Sequence, residues 1–261
     1  SGAVVMASQF WGRRELDAMR TVSAIVFRVT ATICALFTLT AFAPQVILRI
    51  FTDEADVIAA GNPYLMLISL TFLLSGMSSA ATYLLRTVGQ VRIPLLGSAG
   101  AFVINFFFNW IFIFGKFGAP RVELVGAAVG TILARVFEFV FVFGYFIAKD
   151  QKYAFRWKHF FASGRQLYRQ YVHYSIPVLI SDTLLGLSLA LVSVIMGHVG
   201  SSMAAANSII GSVTQVTTVL NTGMAGAAAI VIGNTIGEGD LKKAVREGNS
   251  YVILSFLFGV F

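Results

Sequence analysis

Long apolar runs recur along this chain, separated by short polar loops, and that alternation limits the folds open to it. The clearest run is Val172–Val199, 28 residues that would extend roughly 42 Å as a helix, enough to cross a bilayer with tilt. Other runs cover Thr21–Ile50, Pro63–Leu85, Leu95–Phe114, Glu123–Ala148 and Met203–Ile236, giving six complete spans, with a partial one at each end. Barrel strands would instead alternate apolar and polar positions over short segments. The expected fold is therefore all-α, a polytopic membrane helical bundle. Only 12% of residues are charged, about half the share of a soluble domain.

The charges that remain are sorted by loop. Fourteen of the nineteen Lys and Arg residues fall in alternate loops, at 9–20, 86–94, 149–170 and 238–247. The intervening loops hold only Arg49, Lys116 and Arg121, and Arg28 and Arg135 lie within spans. The positive-inside rule then makes the first set cytoplasmic in a multi-pass plasma membrane protein. The net charge of +7 therefore reads as orientation, with membrane lipid as the partner and no nucleic acid. The 149–170 stretch reads either as an amphipathic helix on anionic headgroups or as a solvated linker.

Local signals refine the spans. Ser1–Ser8 looks like the tail of a helix, followed by a polar loop to Arg20. Phe51–Asn62 reads as an acidic loop with Asp53 as a helix cap, and Pro63 as a first-turn proline opening the next span. Gly223–Ala229 reads as a close helix-packing run. The single cysteine, Cys34, precludes an internal disulfide. The chain begins and stops inside apolar runs and is read as a piece of a longer protein.

A shift of 225 residues aligns the two ends: Gln9 with Asn234, Gly12 with Gly237, Glu15 with Asp240 and Leu16 with Leu241. Both copies join a small-residue helix end to a charged loop on the same side. A repeat of equal orientation implies two homologous bundles about an axis along the membrane normal. With six spans per copy, the full protein has two six-helix lobes. This chain then holds part of the first lobe in 1–148, a basic cytoplasmic inter-lobe linker in 149–170, and the start of the second lobe in 171–261.

Polar residues inside the spans are the candidate site. Asp182 sits ten residues into Val172–Val199, where a carboxylate costs about 2.5–3.5 kcal/mol on insertion scales. It reads as a cation- or proton-coupling group; a hydrogen bond to Ser181 or to backbone freed by Pro177 is the structural alternative. Arg135 and Glu138 are three apart on one helix face and can pair. Asn105 and Asn109, four apart, share another face, where interhelical hydrogen bonding competes with a cation site. Asn207, Gln215, Thr218 and Asn221 stud a later span as cavity-lining candidates. There is no metal-ligand cluster, no phosphate-binding G-x-x-x-x-G-K-[ST] loop and no catalytic constellation, so the residues support neither an intramembrane enzyme nor a nucleotide-driven pump.

Four stretches resemble the multidrug and toxic compound extrusion (MATE) family of the multidrug/oligosaccharidyl-lipid/polysaccharide exporter superfamily. They are Leu85–Pro94, similar to its LRxxGxxRxP loop; Asn105 through Asn109 to Gly118, similar to its fifth helix and exit; Gly126–Thr131 with Arg135 and Glu138, similar to its GAAxxT…RxxE sixth helix; and Asn234–Val245, similar to the loop after its eighth helix. The chain then runs from the end of helix 2 to the start of helix 9. The resemblance implies alternating access by a monomeric transporter. It implies export of cationic, amphipathic small molecules in exchange for Na⁺ or H⁺, with no other cofactor; a lipid-linked oligosaccharide flippase of the same superfamily is the alternative. It also implies a cation site at Asn105, Asn109 and Thr131, where one subfamily has Asp in place of Asn109 and adds an acid from the first helix. Some members carry the seventh-helix acid one turn later, where this chain has Leu185.

Overall fold

The computed structural model describes residues 2–118, 122–161 and 164–259 and has no strand among them. Its helices are α1 (Gly2–Gly12), α2 (Leu16–Thr38), α3 (Pro44–Phe51), α4 (Ala55–Ser69), α5 (Thr71–Thr87), α6 (Arg92–Phe114), α7 (Glu123–Glu138), α8 (Gly144–Ala148), α9 (Arg165–Val199), α10 (Ser201–Glu238) and α11 (Leu241–Gly259). Five helical stretches are long and apolar enough to cross a membrane, or six if the bent α4–α5 pair is one span.

Several element boundaries differ from the sequence expectation. The run Thr21–Ile50 is broken: α2 tightens into a 3₁₀ turn at Leu39–Phe42, and Pro44 then opens the separate helix α3. A proline lacks the N–H that would continue α2 and suits a first turn, so the break falls there. Thr40 and Ser69 hydroxyls, 2.8 Å apart, tie that turn to α4. Pro63 lies inside α4 rather than at its start, and the α4–α5 pair bends by 45° at its break near Leu70. The cap before α4 is Glu54, whose N–H donates to Thr52 Oγ1 at 3.2 Å, so Asp53 is not the cap. Loops are shorter than expected because helices run into the charged segments. Residues 13–15 alone separate α1 from α2, and Gly239 and Asp240 separate α10 from α11. A Cβ on Gly223 or Gly226 would meet no described atom within 4 Å, so neither glycine is at a close helix approach among the described residues. Arg121, one of the orientation charges, lies outside the described residues.

The chain forms two compact units. One comprises 26–85 and 89–157. Its main packing is α6 against α7, with α4 also against α7 and α3 against α4. After α7 the helix widens into a π turn at Phe139–Phe143 and continues as α8. Phe27 lies 5.5 Å from the rings of Phe143 and Phe146 and 5.6 Å from Phe155. Phe27, Phe146, Phe155 and Tyr153 are all fully buried. Such ring pairs contribute about 0.5–1.5 kcal/mol each beyond burial. Beneath them the 149–157 segment is a turn built on the fully buried Asp150. Its carboxylate accepts from Tyr153 N at 2.7 Å, Ala154 N at 3.2 Å, Lys152 N at 3.3 Å and Gln90 Nε2 at 2.6 Å. The described residues of 149–170 are thus not a single surface helix: they form a capped turn, a 3₁₀ turn at Trp157–Phe161, and the first turns of α9 from Arg165.

The other unit comprises 1–25, 86–88 and 158–261. Here α1 packs on α10 and α9, and α10 on α9 and α11. The repeat is visible in its backbone. Arg14 N donates to Trp11 O and Glu15 N to Phe10 O, while Gly239 N donates to Ile236 O and Asp240 N to Thr235 O, the same pair of bonds 225 residues on. Leu16 N to Arg14 O is matched by Leu241 N to Gly239 O, and Met19 N to Glu15 O by Ala244 N to Asp240 O. Both helices end on a left-handed residue, Arg14 at φ 60° and Gly239 at φ 88°, which satisfies carbonyls left open at a helix end.

Candidate functional site

α6 and α7 run antiparallel, and their facing residues form a ladder. Small residues set the approach: a Cβ on Gly126 would meet Phe112, one on Gly130 would meet Asn109 Oδ1, and one on Gly97 would meet Val142. Close backbones let short polar side chains reach across, as in membrane bundles generally. Asn105 Nδ2 donates to Thr131 Oγ1 at 3.2 Å, Thr131 Oγ1 donates to Ala127 O at 2.9 Å, and Asn109 Nδ2 donates to Asn105 Oδ1 at 3.1 Å. Asn109 Oδ1 is buried and has no hydrogen-bond donor among the described residues. Such an acceptor in a low-dielectric site costs about 1–3 kcal/mol unless something supplies positive charge or a proton.

Further along the same helix pair, Arg135 NH1 meets Glu138 Oε2 at 2.7 Å, and Ser98 Oγ donates to Glu138 Oε1 at 3.2 Å. Glu138 is the more enclosed partner, 12% exposed against 45% for Arg135. The five residues named from sequence in this lobe therefore form two groups, a neutral amide–hydroxyl chain and an ion pair. Ser98 was not anticipated. It stands seven residues before Asn105, two helical turns, on the same face; that spacing was its only signal, and a lone serine in an apolar span is ordinary.

Asp182 is the central residue of α9, which starts seven residues before Val172 and takes Arg165 and Arg169 into the helix. Its side chain is exposed, and neither it nor Ser181 has a hydrogen-bond partner among the described residues. α9 runs through Pro177 without interruption. On α10, helical spacing puts Asn207, Thr214, Thr218 and Asn221 near one face, with Gln215 to its side. Thr218 Oγ1 is spent on its own helix, donating to Thr214 O at 3.0 Å and Gln215 O at 3.3 Å. Asn207 is half-buried, while Gln215 and Asn221 are exposed. Among the described residues, no three His, Cys, Asp or Glu side chains gather as metal ligands.

The MatE family profile matches residues 1–111 and 177–261. Solved structures share the fold at low identity. An outward-facing multidrug resistance MATE family transporter of the MOP superfamily superposes with a TM-score of 0.81 at 18% identity, covering 99% of this chain and 57% of that one. A MOP superfamily transporter from Pyrococcus furiosus, described by the reversed polarity of its binding pocket, gives 0.80 at 16% identity over 99% of this chain and 57% of that one. The MATE multidrug transporter DinF-BH, solved as a complex, gives 0.80 at 18% identity, with 98% and 56% covered. The chain thus spans a little over half the length of these transporters. No curated protein sequence matches it.

Proposed function

Because this chain belongs to the MATE family, we propose that it is the central part of an ion-coupled antiporter that exports cationic, amphipathic compounds by alternating access. The observation that carries the reading is Asp182, a carboxylate with no hydrogen-bond partner among the described residues, at the centre of the 35-residue helix α9. An ionised group at that depth is expensive to place and is a functional site by default. A single carboxylate that accepts a proton, Na⁺ or a cationic substrate, one at a time, couples the flow of one to the flow of another. In the other lobe, Asn109 Oδ1, next to Asn105 and Thr131, offers oxygen to a cation, the ligand type that hard cations prefer. The basic loops face the cytoplasm in this reading.

The flippase reading is less favoured by the same residues. A phosphate-bearing lipid would need a strongly cationic cavity, whereas only Arg28 and Arg135 lie within spans and Arg135 is neutralised by Glu138 at 2.7 Å. Transport by the full-length protein in proteoliposomes separates the readings. Imposed Na⁺ or H⁺ gradients should drive efflux of an ethidium-type dye by the wild type and not by Asp182→Asn. Undiminished gradient-driven efflux in that variant would remove Asp182 from the mechanism.

A further inference from the structure

α1 and α9 touch at Gly2 and Ser175 and part toward the basic loops. A Cβ on Gly2 would lie 2.8 Å from Ser175 Oγ and 3.0 Å from Ser175 Cα. From Ser175 back to Arg165, α9 covers ten residues, roughly 15 Å of helical rise, and over that length a wedge opens between the two helices. On another face α1 is held to α10, where a Cβ on Gly12 would lie 2.9 Å from Gly237 Cα, so α1 does not swing in to close it. The wedge is a cavity of about 420 Å³. Its polarity changes along its depth: Met6 and Phe10 line the inner part, and Arg13, Glu15, Gln166 and Gln170 line the part nearer the loops.

Arg13 and Glu15 are the charges at the mouth, and both are unspent. Neither side chain makes a hydrogen bond or ion pair with a described residue, although Arg20 and Asp17 close by do pair, at 3.0 Å. The repeat supplies the contrast. The equivalents of Arg13 and Glu15, 225 residues on, are Glu238 and Asp240. There Lys243 engages both: its Nζ lies 3.9 Å from Glu238 Oε2, and its backbone N–H donates to Asp240 Oδ1 at 2.9 Å. The equivalent of Lys243 is Ala18, which supplies no cation for Glu15 and lines the cavity instead.

An occupant of this cavity must answer a cation and an anion at one mouth and tolerate an apolar interior. A phospholipid whose headgroup carries a phosphate and a primary ammonium does so, with the phosphate on Arg13, the ammonium donating to Glu15, and the apolar portion toward Met6 and Phe10. A headgroup that is only anionic is drawn to the basic loops at large but meets Glu15 here. A trimethylammonium has no N–H to give a carboxylate. We infer that the α1–α9 wedge is a binding site for an ethanolamine-type phospholipid headgroup. The site stands apart from the export reading, and nothing in it depends on Asp182.

Native mass spectrometry of the delipidated full-length protein tests it, with phosphatidylethanolamine, phosphatidylcholine and phosphatidylglycerol of matched acyl chains in competition. Phosphatidylethanolamine should be retained severalfold over each of the others. Glu15→Gln should erase its advantage over phosphatidylcholine, and Arg13→Ala should weaken retention of both. Ala18→Lys, which copies the second repeat, should occupy the mouth and abolish the preference as Glu15→Gln does. Equal retention of the three lipids, or a preference that neither Glu15→Gln nor Ala18→Lys moves, overturns the inference. Displacement of the lipid by an equal concentration of soluble phosphoethanolamine would assign the site to a soluble ligand and overturn it as well.

Discussion

Gln90 Nε2 donates to Asp150 Oδ1 across 2.6 Å, joining the loop before α6 to the turn after α8. The same carboxylate caps three backbone N–H groups, and Arg156 NH1 donates to the carbonyls of Ile147, Asp150 and Phe155 at 2.8–3.1 Å. The turn therefore holds itself together from both charged ends. Asp150→Ala would leave those buried donors unmet and should destabilise the protein by about 3 kcal/mol, read as a fall in thermal midpoint of the detergent-solubilised protein. Gln90→Ala should cost less, about 1 kcal/mol, because it removes one donor of four.

Gly130 and Asn109 make a second, sharper prediction. A methyl group at Gly130 is driven into Asn109 Oδ1, so Gly130→Ala should push the amide out of its chain to Asn105 and Thr131. The expected cost is about 1–3 kcal/mol of stability. If this chain of side chains binds the coupling ion, ion dependence of transport should weaken as well. Unaltered stability and ion dependence would show that the α6–α7 contact relaxes freely.

The ion pair on α7 is asymmetric, and its variants should be too. Arg135→Ala leaves the enclosed Glu138 with Ser98 as its one remaining donor among the described residues, whereas Glu138→Gln keeps a polar group facing both partners. Arg135→Ala should therefore be the more destabilising, by roughly 1–2 kcal/mol over Glu138→Gln. Thermal melts of the two variants check the order, and equal losses would mean that solvent replaces Arg135 without cost.

How much of this was visible beforehand follows from what kind of signal each feature leaves. Asn105 and Asn109 could be named because polar residues at helical spacing in an apolar span are conspicuous, Thr131 only through the family resemblance, and the structure joins the three by hydrogen bonds. Asp150 was hidden for the opposite reason: among Lys149, Lys152 and Arg156 an acid reads as one more solvated charge, and only the fold shows that its neighbours' N–H groups turn inward. Pro63 reads as a helix opener yet is carried within α4, while Pro44, inside an apolar run, opens α3, since a proline can do either and tertiary packing decides which. The repeat at Gly12 and Gly237 was legible as similarity, but contact between the two copies was not, because sequence states equivalence and not distance.

The central claim is that Asp182 is the carboxylate at which cations exchange, and binding of a fluorescent cationic dye to the purified full-length protein tests it without a gradient. The wild type should bind the dye less tightly as Na⁺ is added, since the competitor takes the charge the dye needs. Asp182→Asn should bind weakly and not respond to Na⁺. A variant that keeps the wild type's affinity and its dependence on Na⁺ would contradict the account.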